Sequence, residues 1–94
     1  MTKEQSIQSK IVDYIKNIGG IPIVQTEYGI YSQMGVPDIL ACIKGRFVAI
    51  EVKRPKEEPR PTQIAWLDAI KRAGGITFWA VSLEEVKDKL KELL

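Results

Sequence analysis

The segment from Asp38 to Lys53 constrains the fold more than any other part of the chain. It contains two β-rich runs, 38–43 and 47–53, separated by Lys44-Gly45-Arg46, which is typical of a tight hairpin turn. The stretch from Ile39 to Ile43 is entirely apolar, so we expect both of its faces to be covered by other elements. The hairpin is therefore predicted to lie in the middle of a sheet.

The segments on either side of the hairpin predict an αβββαβ order with one further helix at the C-terminus. The first helix is expected to begin at Thr2, which has capping-box spacing to Gln5, and to end at Gly19-Gly20. Strands are predicted at 21–25 and 76–81, and helices at 62–73 and after Ser82, which has capping-box spacing to Glu85. We predict one α/β domain over residues 1–94, with a mixed central sheet flanked by helices on both faces.

Apolar periodicity predicts which side chains point inward. The inner side of helix 62–73 is expected to carry Ile64, Leu67 and Ile70. Cys42 is the only cysteine and lies within an apolar run, so it is predicted to be a buried thiol. Trp66 and Trp79 are interpreted as core or interface residues rather than as base-stacking platforms.

Composition limits the chemistry open to the chain. Its 94 residues fit one domain, and its net charge of +2 is compatible with nucleic acid without requiring it. The absence of histidine excludes His-based triads and disfavours zinc. Neither a signal-peptide pattern nor an apolar run of membrane length is present, so we expect no membrane partner. A cytoplasmic location follows, for a bacterial protein or for a viral protein acting in its host.

Three charged side chains lie where a buried strand should be apolar. Asp38 opens the first hairpin strand, while Glu51 and Lys53 lie near the end of the second, two apart and so on one face. A two-residue turn at Lys44-Gly45 would place Asp38 opposite Glu51, with Cβ atoms roughly 5 Å apart. A three-residue turn would turn Asp38 away. We favour the former, because glycine suits the second position of a primed turn.

The facing carboxylates predict a divalent metal site. Two like charges in a half-buried site repel each other, and a hard cation would offset that repulsion. Asp38 and Glu51 offer the oxygen ligands that suit Mg²⁺ or Mn²⁺, and the backbone carbonyl of Val52 is a further candidate ligand. Lys53 is expected to orient or activate water, or to stabilise negative charge on a phosphate. These are the parts that phosphodiester hydrolysis needs.

The pattern from Gly35-Val36-Pro37-Asp38 to Glu51-Val52-Lys53 resembles that of the PD-(D/E)XK nuclease superfamily. The chain is most similar to its stand-alone VRR-NUC (virus-type replication-repair nuclease) members. Further matching residues run through most of the chain: Gln63, Trp66-Leu67 and Gly74-Gly75. The resemblance implies a restriction-endonuclease-like fold. It also implies a metal-dependent DNA endonuclease akin to Holliday junction resolvases.

The resemblance extends the expected site to two helices. Gln63 is expected to face the active site and support catalysis, because the family has a glutamine there. At about 100° per residue, Glu4 lies in line with Ile11 and Ile15 on the apolar stripe of the first helix. An acidic residue in a first turn also favours the helix dipole. Related nucleases place a helical glutamate near the metal, which implies that Glu4 binds it through a water molecule.

A basic loop follows the predicted catalytic lysine. Arg54, Lys56 and Arg60 are candidates for holding DNA phosphates beside the scissile bond. The same loop contains Glu57 and Glu58, so a solvated turn is the alternative interpretation.

Size and symmetry predict a homodimer acting on branched DNA. One small domain offers a single site, whereas a two-fold dimer would match the symmetry of a four-way junction. Apolar residues available for an interface are Tyr28, Ile30, Tyr31 and Met34. Two alternatives stay open: a non-catalytic DNA-binding module and a protein-interaction domain, each retaining the nuclease fold.

Overall fold

A computed structural model of the chain describes residues 1–25 and 34–94. Its elements, in chain order, are α1 (Lys3–Asn17), β1 (Ile21–Val24), β2 (Ile39–Ile43), β3 (Arg46–Val52), α2 (Pro61–Arg72), β4 (Ile76–Ala80) and α3 (Leu83–Leu93). The predicted order of elements is confirmed. Three of the residues named above for a dimer interface lie outside the described residues: Tyr28, Ile30 and Tyr31.

The four strands form one mixed sheet in the order β1-β2-β3-β4. The β1/β2 and β2/β3 pairs are antiparallel, and β3/β4 is parallel. The β2–β3 hairpin therefore occupies the centre of the sheet, as predicted.

The hairpin turn consists of Lys44 and Gly45, which adopt left-handed φ angles of 51° and 76°. Two consecutive positive φ angles are characteristic of the primed turn that matches the twist of antiparallel strands. The register pairs Ile43 with Arg46 at the turn and Ile39 with Ile50 at the open end. The two-residue alternative is confirmed.

Helices cover both faces of the sheet, as predicted. On one face, α1 supplies Ile11 and Ile15 and α3 supplies Val86 and Leu90 to a core shared with the strands. On the other face α2 packs against β4 and β3, and Thr77 of β4 donates a 2.9 Å hydrogen bond to the Leu67 carbonyl of α2. None of the helices in residues 1–25 and 34–94 is long and apolar enough to cross a membrane.

The prediction that both faces of β2 are covered is wrong within the described residues. Ile39, Ala41 and Ile43 are buried, but Leu40 is half-buried and Cys42 is exposed. The reason is the position of α2, which packs on β3 and β4 and makes no contact with β2. The predicted buried thiol therefore lies at the surface.

The inner side of α2 also differs from the prediction. Gln63 and Leu67 are buried, whereas Ile64 is 44% exposed. Gln63 is the third residue of the helix, and its Oε1 accepts the N–H of Arg60 at 2.8 Å. This cap turns Gln63 inward and leaves Ile64, about 100° further round the helix, facing solvent.

The other two helix starts follow their capping signals. Thr2 and Gln5 form the reciprocal bonds of a capping box, at 2.8 and 3.1 Å. The Ser82 hydroxyl accepts the Glu85 N–H at 3.2 Å, but the Glu85 carboxylate accepts the N–H of Val81 at 3.1 Å rather than that of Ser82. Ser82 therefore caps α3, but only one of the two hydrogen bonds of the predicted capping box is formed.

Candidate active site

The open end of the central hairpin brings the predicted carboxylates together. Asp38 immediately precedes β2, and one step beyond the Ile39–Ile50 pair the register places it opposite Glu51. The side chains of Ile39 and Ile50 point into the core. Those of Asp38 and Glu51 therefore project from the opposite face of the sheet, which α2 covers only in part. The Asp38 Oδ2 atom accepts the main-chain N–H of Val52 at 2.8 Å.

Pro37 affects the other main-chain hydrogen-bonding group of Val52, its carbonyl. In an antiparallel ladder, directly opposed residues alternate between bonded and non-bonded pairs, and the residues that flank a two-residue turn form a bonded pair. Counting from Ile43–Arg46, position 37 would form a bonded pair with Val52. Proline has no N–H to donate, so strand pairing leaves the Val52 carbonyl without a donor from position 37. Sequence reasoning assigned Pro37 to a motif but missed this role.

The ionisable side chain of Glu51 is almost completely buried. Its side chain is 1% exposed, and within the described residues its Oε2 atom is buried without a hydrogen-bond partner. Burial raises the pKa of Glu51 to about 9, with further contributions from hydrogen bonding to Asp38 and repulsion by it. The charge of Lys53 acts in the opposite direction. A buried oxygen with unused acceptor capacity is an atom suited to a positively charged ligand.

Lys53 lies just beyond β3, on the same face as Glu51. Its main-chain N–H is donated to the Ala80 carbonyl at 2.9 Å, which extends the parallel pairing with β4 by one residue. The residue is 8% exposed, unusual burial for a lysine. The β3/β4 pairing therefore holds a cation next to the carboxylate pair.

Glu4 joins the site from the first turn of α1. It is half-buried, and burial followed by repulsion from Asp38 raises its pKa, while the charge of Lys53 lowers it. Glu4 is therefore close enough to Asp38 and Lys53 for their charges to shift its pKa. In the described part of the chain, no three His, Cys, Asp or Glu side chains lie close enough to hold one ion. Asp38 and Glu51 form the carboxylate pair, and Glu4 lies further out.

These residues fit a magnesium or manganese ion. Magnesium is typically held by one or two carboxylates, with water and substrate phosphate completing its shell. The orphaned Oε2 of Glu51, the Asp38 carboxylate and the Val52 carbonyl provide oxygen donors of that kind. A divalent cation would also offset the repulsion between the two carboxylates.

The remaining predicted residues lie on the loop after β3 and the start of α2. Gln63 is buried and bonded to the Arg60 N–H, a capping role that the sequence pattern did not predict. Arg54, Lys56 and Arg60 are exposed, and the Arg54 guanidinium is paired with Glu57. Pairing with Glu57 reduces the charge that Arg54 offers to a phosphate.

The segment leading into Asp38 is anchored on α2. Gly35 has a φ of +87°, and a Cβ atom there would lie 2.9 Å from the Thr62 carbonyl oxygen. The Trp66 indole N–H is donated to the Met34 carbonyl at 3.1 Å. These contacts connect the helix after the site to the loop before it.

Comparisons with known proteins agree with this architecture. A protein of Acyrthosiphon pisum secondary endosymbiont phage 1, described as "Putative nuclease p44", is 34% identical over 65 residues, or 68% of this chain and 67% of that protein. A solved "VRR_NUC domain" matches with a TM-score of 0.82 at 22% identity, over 100% of both chains. A "VRR_NUC domain protein" matches with a TM-score of 0.77 at 15% identity, over 100% of this chain and 89% of its own.

A resolvase shares the architecture more distantly. Hjc of Archaeoglobus fulgidus, described as a Holliday junction resolvase, has a TM-score of 0.64 and 22% identity, over 83% of this chain and 67% of its own. No protein-family model matches the sequence. Fold and sequence together place the chain in the restriction-endonuclease-like fold class. The chain belongs to the same family as the phage protein described as "Putative nuclease p44" and has the VRR-NUC fold.

Proposed function

We propose that this protein is a divalent-metal-dependent endonuclease that hydrolyses DNA phosphodiester bonds. The observation that carries the proposal is the buried Glu51 carboxyl group. Its Oε2 is without a partner among the described residues, and the group lies opposite Asp38 and beside the buried Lys53. Burying an ionisable group without a hydrogen-bond partner destabilises the folded state, and such groups are typical of functional sites.

Asp38 and Glu51 would hold Mg²⁺ or Mn²⁺, with the Val52 carbonyl as a further ligand and Glu4 acting through water. When bound, such an ion polarises a phosphoryl oxygen and lowers the pKa of water. The Asp38 carboxylate is held in place by its bond to the Val52 N–H, so little reorganisation is needed on binding.

Lys53 would contact the attacking water or the substrate phosphate, and Gln63 would support Lys53. The Lys53 ammonium can donate hydrogen bonds to the attacking water or to a non-bridging phosphate oxygen, on which negative charge increases. In hydrolysis the water oxygen bonds to phosphorus and one phosphorus–oxygen ester bond breaks, giving a phosphate end and a hydroxyl end. Gln63, fixed by its bond to Arg60, would support the geometry around Lys53.

DNA binding, branched substrates and dimerisation are further parts of the proposal. Arg54, Lys56 and Arg60 lie on the exposed loop that follows Lys53, where they can contact phosphates on either side of the cut. The likeness to Hjc, itself described as a Holliday junction resolvase, favours four-way junctions. Met34 is 84% exposed and is available for a homodimer interface. The phage origin of the p44 relative favours a site of action in the bacterial cytoplasm.

A panel of labelled DNA substrates tests the proposal. Linear duplex, single strand, flap and four-way junction would be incubated with Mg²⁺, Mn²⁺ or EDTA. Cleavage with either metal, its loss in EDTA and its absence in Glu51→Gln are the expected results. Glu51→Gln preserves side-chain size and removes the ionisable group. DNA binding without cleavage in any metal would instead support the non-catalytic binding module, and no retention on DNA resin would support the protein-interaction alternative.

Sedimentation of the purified protein tests the dimer separately. A homodimer that cuts four-way junctions faster than linear duplex is the expected outcome. A monomer with equal rates on both substrates would contradict the dimer and the junction preference, and leave the nuclease proposal in place.

A further inference from the structure

Trp79 lies on the active-site face of the sheet, one strand away from Glu51. The parallel register pairs these two residues, so their side chains leave the same face of strands that are about 4.8 Å apart. Trp79 is 39% exposed, although its neighbours Phe78 and Ala80 are buried. A large aromatic side chain is therefore open to solvent beside the carboxylate pair.

The other tryptophan of the chain, Trp66, is anchored by a hydrogen bond. Trp66 is half-buried, and its indole N–H is bonded to the Met34 carbonyl. Trp79 lines a surface groove together with Lys56 of the basic loop and Lys89 of α3. The hydrogen bond explains the position of Trp66, whereas the exposed part of the Trp79 ring is available to a ligand.

The groove runs along the edge strand β4, next to the loop that follows Lys53. Glu57, on its wall, has a pKa lowered first by its hydrogen bond to Arg54 and further by the charge of Lys53. Two of the acidic groups that line the groove already have partners, since Glu57 pairs with Arg54 and Glu85 accepts the Val81 N–H. The groups left to face a bound strand are the ring of Trp79, the two lysines and the carboxylate of Glu58.

We propose that Trp79 stacks on a nucleobase that is unpaired at the branch point of the DNA, next to the scissile phosphate. The preferred substrates are then flaps and four-way junctions that open at the branch point, rather than fully paired duplex. This inference rests on the proposed nuclease function. Stacking on an aromatic ring accepts any base, because every base has a π-face, and it requires that the base is free of its duplex neighbours. Lys56 and Lys89 would contact the phosphates on either side of that nucleotide.

Tryptophan fluorescence tests the stacking directly. In a Trp66→Phe background Trp79 is the only tryptophan, and adding Glu51→Gln with Ca²⁺ in place of Mg²⁺ prevents cleavage during titration. A single-stranded oligonucleotide should quench the emission strongly, and the fully paired duplex of the same sequence should quench it weakly. Equal quenching by both, or none by either, would overturn the proposal.

Two substitutions at position 79 supply a second readout. Trp79→Leu should lower the affinity for single-stranded DNA by roughly 5- to 150-fold and leave duplex affinity nearly unchanged. Trp79→Phe keeps a ring and should retain most of the affinity, with thermal melts checking that both variants fold. Equal loss on both DNAs would contradict a base-stacking role.

The outcomes separate this inference from the nuclease proposal. Quenching by single strands, with no cleavage of any substrate by the wild type, would contradict the nuclease and leave the stacking in place. Cleavage of branched DNA that Trp79→Leu leaves unchanged would overturn the stacking alone.

Discussion

The Asp38 Oδ2 atom accepts the main-chain N–H of Val52 at 2.8 Å, so one carboxylate of the pair is anchored to the strand that carries the other. Val52 lies between Glu51 and Lys53, so this single bond fixes Asp38 relative to both. Pro37, opposite Val52 in the extended strand register, has no N–H to donate to the Val52 carbonyl.

Substitutions at Asp38 should separate its structural role from its charge. Asp38→Asn retains an oxygen that can accept the Val52 N–H and removes a charge that disfavours ionisation of Glu51, so metal-free stability should be unchanged or higher. Asp38→Ala leaves that N–H without its partner and should cost about 1–3 kcal/mol. Both variants should lose cleavage by at least about 10²-fold. Urea melts and cleavage rates on one substrate measure the two effects, and an active Asp38→Asn would remove the carboxylate from the catalytic set.

Stability of the metal-free protein should fall as pH rises. Burial raises the pKa of Glu51 from its ordinary value of 4.5 to about 9, so the folded state keeps a proton that the unfolded state releases. Below pH 4.5 the group is neutral in both states and costs nothing; between 4.5 and about 9 stability is progressively lost. Glu51→Gln cannot ionise, so denaturant melts in EDTA across this range should show a flatter profile for the variant. Parallel profiles would contradict the burial of an ionisable group.

Divalent metal should stabilise the wild type more than its variants. An ion that binds only the folded state at 100 times its Kd adds about 2.7 kcal/mol to the free energy of unfolding. Mg²⁺ or Mn²⁺ should therefore raise the Tm of the wild type, with a smaller rise in Asp38→Asn, which has lost one charged ligand. Scanning calorimetry with and without metal gives the comparison, and an unmoved wild-type Tm would argue against a preformed site.

Gly35 should be needed both for stability and for the position of Asp38. Gly35→Ala places a side chain in a left-handed conformation, at a cost of about 1–2 kcal/mol, and also against the Thr62 carbonyl. Gly74→Ala is the matched control, because Gly74 has a φ of +104° and a Cβ atom added there would meet nothing within 4 Å among the described residues. The Gly35 variant should be the less stable of the two and the only one with slower cleavage. Equal melts and equal rates would show that the contact with α2 does not position Asp38.

Local patterns in the sequence were enough to predict the element order, the hairpin register and the face shared by Asp38, Glu51 and Lys53. Each depends on residues close in the chain: a cap at Thr2, the left-handed turn at Lys44-Gly45, and the two-residue period of a strand. Such interactions are formed with neighbours in sequence and do not require the position of any distant element.

The position of α2 determined which side chains are buried, and the local patterns did not predict this. It covers β3 and β4 but not β2, which exposes Cys42, and its capped first turn points Gln63 inward in place of Ile64. Burial depends on which surfaces meet, and residues far apart in the chain determine that. For the same reason the near-complete burial of Glu51 and the exposure of Trp79 beside it followed from the packed sheet and helices, and not from the residues next to them.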